Sequence, residues 1–95
     1  MEPLFNTIRR LVADEKYVVG LHASERLEEC GIMEWQVVAG LPDAVLITAR
    51  PDAKPNPAIE IRTCLPDGTE FKAVWSLLRQ SDVAKLVTVH FFDQG

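Results

Sequence analysis

Ile59-Glu60-Ile61-Arg62-Thr63-Cys64-Leu65-Pro66-Asp67-Gly68-Thr69-Glu70-Phe71-Lys72-Ala73-Val74-Trp75 carries two alternating arms around a turn. Ile59, Ile61 and Thr63 alternate with Glu60, Arg62 and Cys64, and Phe71, Ala73 and Trp75 alternate with Glu70, Lys72 and Val74. A period of two places each set on its own face of a strand. Pro66-Asp67-Gly68 fits a three-residue hairpin loop, a type I turn followed by glycine in the left-handed position. That turn sets Thr63 opposite Phe71, Ile61 opposite Ala73 and Ile59 opposite Trp75. Turn chemistry and alternation therefore agree on six residues sharing a core face.

Beyond this hairpin, Lys85–Phe92 reads as a last strand, apolar on both faces and so expected at the centre of the sheet. Before it, Ala44-Val45-Leu46-Ile47-Thr48 is a further strand, rich in β-branched and apolar residues. Arg50-Pro51-Asp52-Ala53-Lys54-Pro55-Asn56-Pro57 is an irregular loop. Met33–Leu41 reads as a short helix stopped by Pro42 and apolar almost all round, with only Glu34 and Gln36 polar. Such a helix is either buried on most sides or covers a partner, which makes Met33, Trp35 and Val38 a candidate partner surface.

The N-terminal third supplies two more helices. Pro3 suits a first helical turn, and Leu4, Phe5, Ile8, Leu11 and Val12 follow at helical spacing to an end near Asp14. Tyr17-Val18-Val19 is a short apolar strand. His22–Cys30 is a helix with Ala23, Leu27 and Cys30 on one face and Gly31 at the expected left-handed cap. The class is α+β: one domain, 1–95, with N-terminal helices packed on a mostly antiparallel sheet of about four strands.

The chain has 95 residues, 47% hydrophobic and 25% charged, the balance of a soluble globular domain rather than a disordered one. No run approaches the roughly 20 apolar residues that span a bilayer, and Met1–Asn6 carries no secretory signal pattern, so a cytoplasmic protein is expected. Cys30 and Cys64 form no CxxC pattern and read as buried thiols in a reducing compartment. Two isolated histidines and two isolated cysteines give no zinc pattern, and phosphate-binding glycine loops are absent, so no metal or cofactor is expected. The net charge of −4 disfavours RNA as a partner, although ten basic residues can still converge in space.

The residues His22-Ala23-Ser24-Glu25-Arg26-Leu27-Glu28-Glu29-Cys30-Gly31-Ile32 resemble the HAxxR…GI signature of the domain of unknown function 4258. In that family the motif opens a helix that Gly-Ile ends, and a second short helix and an antiparallel sheet follow. The resemblance extends over residues 17–92 in element order and is sequence-specific over the motif alone. It implies a fold similar to that of the small bacterial toxins RelE and BrnT, which cut RNA, and with it a toxin-like ribonuclease of a toxin–antitoxin system. The family motif often has a basic residue where Cys30 stands, and often opens its next helix with Ser or Thr where Met33 stands.

Read physically, His22 and Arg26 lie one helical turn apart on one face. An imidazole can transfer a proton near neutral pH and a guanidinium can stabilise charge on a phosphate, so the two are candidate catalytic residues. The architectural reading pairs Arg26 with Glu29 or a strand carboxylate and lets His22 cap the helix. Cys30 and His22 fall about 12 Å apart along the helix and form no nucleophile–base pair. His90, in the apolar last strand, reads first as a satisfied core histidine and gains interest only where it faces His22 or Arg26. Arg62 and Lys72 meet directly in the hairpin register, a like-charge pair that calls for solvent or a bridging anion. Arg62, Lys72 and His90 are thus candidate anion or RNA contacts. Two functions follow: a non-catalytic interaction or regulatory module, with a protein partner or a second copy, and the toxin-like ribonuclease.

Overall fold

The computed structural model describes residues 2–92. Helix α1 (Pro3–Ala13) leads into strand β1 (Tyr17–Val19), helix α2 (Leu21–Cys30), helix α3 (Glu34–Gly40) and a 3-10 turn (Leu41–Asp43). Four strands follow: β2 (Val45–Arg50), β3 (Ala58–Cys64), β4 (Glu70–Leu78) and β5 (Val83–Phe91). They join β1 in one sheet of order β1-β5-β4-β3-β2, in which only the β1–β5 pairing is parallel. The α+β class and the mostly antiparallel sheet are as expected. Among the described residues the count is five strands rather than about four, because short β1 joins the sheet as its parallel edge.

The central hairpin has the register read from the sequence. Thr63 faces Phe71, Ile61 faces Ala73 and Ile59 faces Trp75. All six are buried, and five of them are wholly inaccessible. The turn closes with the Gly68 amide donating to the Leu65 carbonyl at 2.9 Å and the Leu65 amide donating to Thr69 at 2.8 Å. Gly68 has φ +90°, the left-handed conformation that disfavours a side chain. Asp67 Oδ1 accepts from the Thr69 amide at 2.9 Å and stiffens the loop.

The last strand departs from its sequence reading. Between Val74↔Thr88 and Trp75↔Leu86 the β4–β5 register shifts, leaving Val87 as an extra residue. A bulge of one residue reverses the alternation. Ala84 and Leu86 before it, and Val89 after it, therefore all enter the same core. The double-sided apolar pattern reflects that reversal rather than burial on two faces. β5 nonetheless has neighbours on both sides, β1 and β4.

Against this face α1 buries Leu4, Ile8, Leu11 and Val12, and α2 buries Ala23 and Leu27. Each of the Leu, Ile and Val side chains taken fully out of water contributes about 1.5–3 kcal/mol, and the Ala23 methyl less. Glu2 opens α1, its carboxylate accepting from the Leu4 amide at 3.0 Å. Gly31, at φ +69°, closes α2 as expected. The cysteines are not buried as expected: Cys30 is half-buried at the end of α2, and Cys64 is exposed because it alternates onto the outer sheet face with Glu60 and Arg62. Gly20 sets the approach of α2 to β5: its amide donates to the Leu86 carbonyl at 2.9 Å. A Cβ there would come within 2.8 Å of the Lys85 side chain.

α3 is shorter than the Met33–Leu41 span, since Met33 is its cap and Leu41-Pro42-Asp43 tightens into the 3-10 turn. The α-helix ends ahead of Pro42 as expected, and Pro42 lies inside the turn that follows. Met33 lacks the usual capping oxygen, and Gln36 compensates by accepting from the Met33 amide at 2.9 Å. α3 buries Val37 alone.

Candidate functional site

The sheet face away from the helices is open, as one-sided antiparallel sheets often are. Cross-strand pairing builds a row on it: Arg62 opposite Lys72, and Lys72 opposite His90. The row ends at the flank of β5 that β1 leaves uncovered beyond Leu86. There α2 delivers Arg26, whose Nε donates to the Val89 carbonyl at 3.1 Å. The charges of Lys72, Arg26 and Glu60 act on His90, and His22 lies within the same electrostatic reach. The structure thus brings four sequence candidates, His22, Arg26, Lys72 and His90, into one electrostatic neighbourhood, with Arg62 one strand further away.

Own-chain carboxylates temper that neighbourhood. Glu60, largely shielded from solvent, binds Lys72 at 3.2 Å and also pairs with Arg50. Its burial alone would raise its pKa, but the bonds from Lys72 and Arg50 outweigh this and hold the carboxyl below its ordinary range. Arg62 pairs with Glu70 at 3.8 Å. The like-charge contact of Arg62 and Lys72 is therefore relieved by the protein's own carboxylates. Arg26 pairs with Glu29 at 3.2 Å besides its backbone bond. His90 is held below its ordinary pKa, first by partial burial and then by Lys72 and Arg26, with Glu60 opposing. His22 is exposed at the start of α2.

A second feature adjoins the Arg62 end of that row, since Arg62 and Glu70 also line it. Trp35 is 62% exposed and Met33 61%. Trp35, Gln36, Ala39 and Val45 line a cleft of about 380 Å³ closed by the base of the β3–β4 hairpin. Val45 and Ile47 of edge strand β2 are exposed as well. Val38 differs from its expected place: it is half-buried and turns toward α1 rather than joining Trp35 at this cleft.

Sequence reasoning missed Glu60 as the hub of the outer face. The register already placed it beside Arg62 and Lys72, so that role was readable. Its bond to Arg50 depends on the β2–β3 pairing, which a loop of irregular residues conceals. Among the described residues no group of three or more His, Cys, Asp and Glu is arranged to hold a metal, and no helix is long and apolar enough to cross a membrane. Comparison of the chain with family models, curated proteins and solved structures finds no match.

Proposed function

We propose that this domain is a non-catalytic protein-interaction module that docks through the Trp35 end of the fold. The observation carrying the reading is the 62% exposure of Trp35 beside the cleft shared with edge strand β2. Exposed aromatic side chains next to a recess are the usual anchors of protein interfaces. The outer edge of β2 offers unpaired backbone groups to which an extended partner segment can add. The bulge at Ile47 interrupts that edge, which favours a short partner segment over an open-ended stack of copies.

The test is capture of partners from cells of the source organism by the wild-type domain and by a Trp35→Ser/Met33→Ser variant, with sedimentation velocity of both. The expected result is a partner or a second copy held by the wild type and released by the variant. Identical profiles for the two proteins would remove this surface from the function.

The second reading is the toxin-like ribonuclease, with kinship to the 4258 family resting on the His22–Ile32 motif. It is favoured by the convergence of His22, Arg26 and Lys72 around His90. Against it stand the net charge of −4, the carboxylates on Lys72 and Arg62, and the engagement of Arg26 by Val89 and Glu29. Cell-free protein synthesis with the wild type and a folded His22→Ala variant separates the two. No suppression is expected; suppression by the wild type that the variant loses would install the ribonuclease instead.

A further inference from the structure

On the helical layer, away from both features above, α1 meets the α3 end and the 3-10 turn around a recess of about 520 Å³. That volume lies within the ~300–1,000 Å³ usual for small-molecule sites. Its floor is apolar: Val12 and Leu41 are almost fully buried, and Val38, Ala13 and Pro42 complete the walls. Its polar groups are Asn6, Arg9 and Arg10. Arg9 is held in place, its guanidinium 4.7 Å from the Phe5 ring centre and its Nη1 donating to the Pro42 carbonyl at 3.4 Å. Neither Arg9 nor Arg10 has a carboxylate partner among the described residues. Among the described residues Arg26, Arg50, Arg62 and Lys72 are ion-paired while Lys16, Lys54, Arg79 and Lys85 are not, so what distinguishes Arg9 and Arg10 is their place together at the rim of an apolar recess.

We propose that the recess between α1 and α3 binds a small amphiphilic anion, a monocarboxylate with an apolar tail. The tail lies on Val12, Leu41 and Val38, and the carboxylate accepts from Arg9 and Arg10 at the rim. The placement of Arg10 in the last turn of α1 also suits the helix dipole, but that does not call for an apolar floor beside it. Two cations without counter-charges, next to buried aliphatic walls, match this ligand class in both polarity and charge. The inference is independent of the docking reading, since Trp35 and β2 take no part in the recess.

The experiment titrates the full chain with decanoate below its micellar range, by calorimetry and by backbone amide NMR. Decanol and decylamine serve as controls. Arg9→Gln/Arg10→Gln removes the charges and Ala13→Trp fills the recess; circular dichroism confirms that each is folded. Saturable one-to-one binding with shifts in α1 and α3 is expected. The charge-removed variant should bind about tenfold more weakly or worse, the scale of losing hydrogen bonds to a charged group. Decylamine should not bind, and Ala13→Trp should abolish binding. Absence of saturable binding, equal affinity for decylamine, or retention of full affinity in either variant would overturn the proposal. So would binding to anionic phospholipid vesicles that Ala13→Trp leaves intact, which would assign the arginines to a membrane surface.

Discussion

Arg26 Nε and the Val89 carbonyl are hydrogen-bonded at 3.1 Å, joining α2 to the flank of β5 that β1 leaves uncovered. The carbonyl gains a charged donor, and the second arm of the guanidinium reaches Glu29. Removal of Arg26 strips the backbone group of that partner, at a cost of about 1.5–3 kcal/mol for a hydrogen bond to a charged group. Arg26→Ala should lower the midpoint of urea unfolding accordingly. Arg26→Lys should restore only part, since an ammonium lacks the planar fork that serves both partners. Glu29→Ala should cost less than about 1 kcal/mol, because Glu29 is 63% exposed. A neutral Arg26→Ala substitution would end the architectural account of this residue.

His90 gives the domain a pH dependence of definite sign. Its pKa is lowered in the folded state, first by burial and then by Lys72 and Arg26. The unfolded chain therefore binds more protons than the folded one below the ordinary value of 6.5. Its contribution to stability is fully present above that value and is lost as pH falls toward the depressed folded pKa. Glu60, also lowered, acts in the same direction further into the acid range, below the ordinary glutamate value. Urea midpoints of the wild type should decline on acidification from neutral pH, and His90→Gln should flatten the upper part of that decline. An unchanged slope in His90→Gln would show that its titration is uncoupled from folding.

The β3–β4 hairpin was legible because its information is local: the loop fixes the register and the alternation fixes the face. Gly31 was legible for the same reason. The bulge at Val87 was not, since two apolar parities in one strand look alike whether a strand is doubly buried or reversed midway. At the site, the Arg26–Glu29 pair follows from helical spacing, whereas the Val89 bond spans a separation of 63 residues that no local pattern encodes. The same limit applies to α3. Its almost uniformly apolar sequence did not indicate that Val38 turns to α1 while Trp35 turns to solvent.

Gly40 and Thr63 lock the end of α3 onto β3. The Thr63 hydroxyl donates to the Gly40 carbonyl at 3.2 Å, and a Cβ on Gly40 would collide with that same oxygen. Gly40→Ala should cost about 1–3 kcal/mol through overpacking. Thr63→Ala should cost about 1 kcal/mol through the lost bond. The double variant should cost less than the two added, because removing the hydroxyl also removes the collision. A double-mutant cycle in urea measures this coupling. Simple additivity would mean that α3 shifts to admit the new methyl group.

The two tryptophans should report the two halves of the molecule separately. Trp75 is wholly buried, set edge-on to Tyr17 at 6.1 Å between ring centres, whereas Trp35 is 62% exposed. With Trp35→Phe, emission from Trp75 alone should be blue-shifted and shielded from acrylamide. With Trp75→Phe, emission from Trp35 should be red-shifted and readily quenched. Stability should divide in the opposite sense. Trp35→Phe should change it by no more than about 0.5 kcal/mol, as for most surface substitutions. Trp75→Phe opens a cavity in the core, but Trp75 Nε1 is a buried donor without a partner among the described residues, and its removal offsets part of the loss. The net cost should therefore be about 1–2 kcal/mol, well below the ~3–5 of a truncation to alanine. Binding of a partner at the α3 cleft should shield Trp35 in the Trp75→Phe protein, while quenching that persists in the presence of a bound partner would place the docking surface elsewhere.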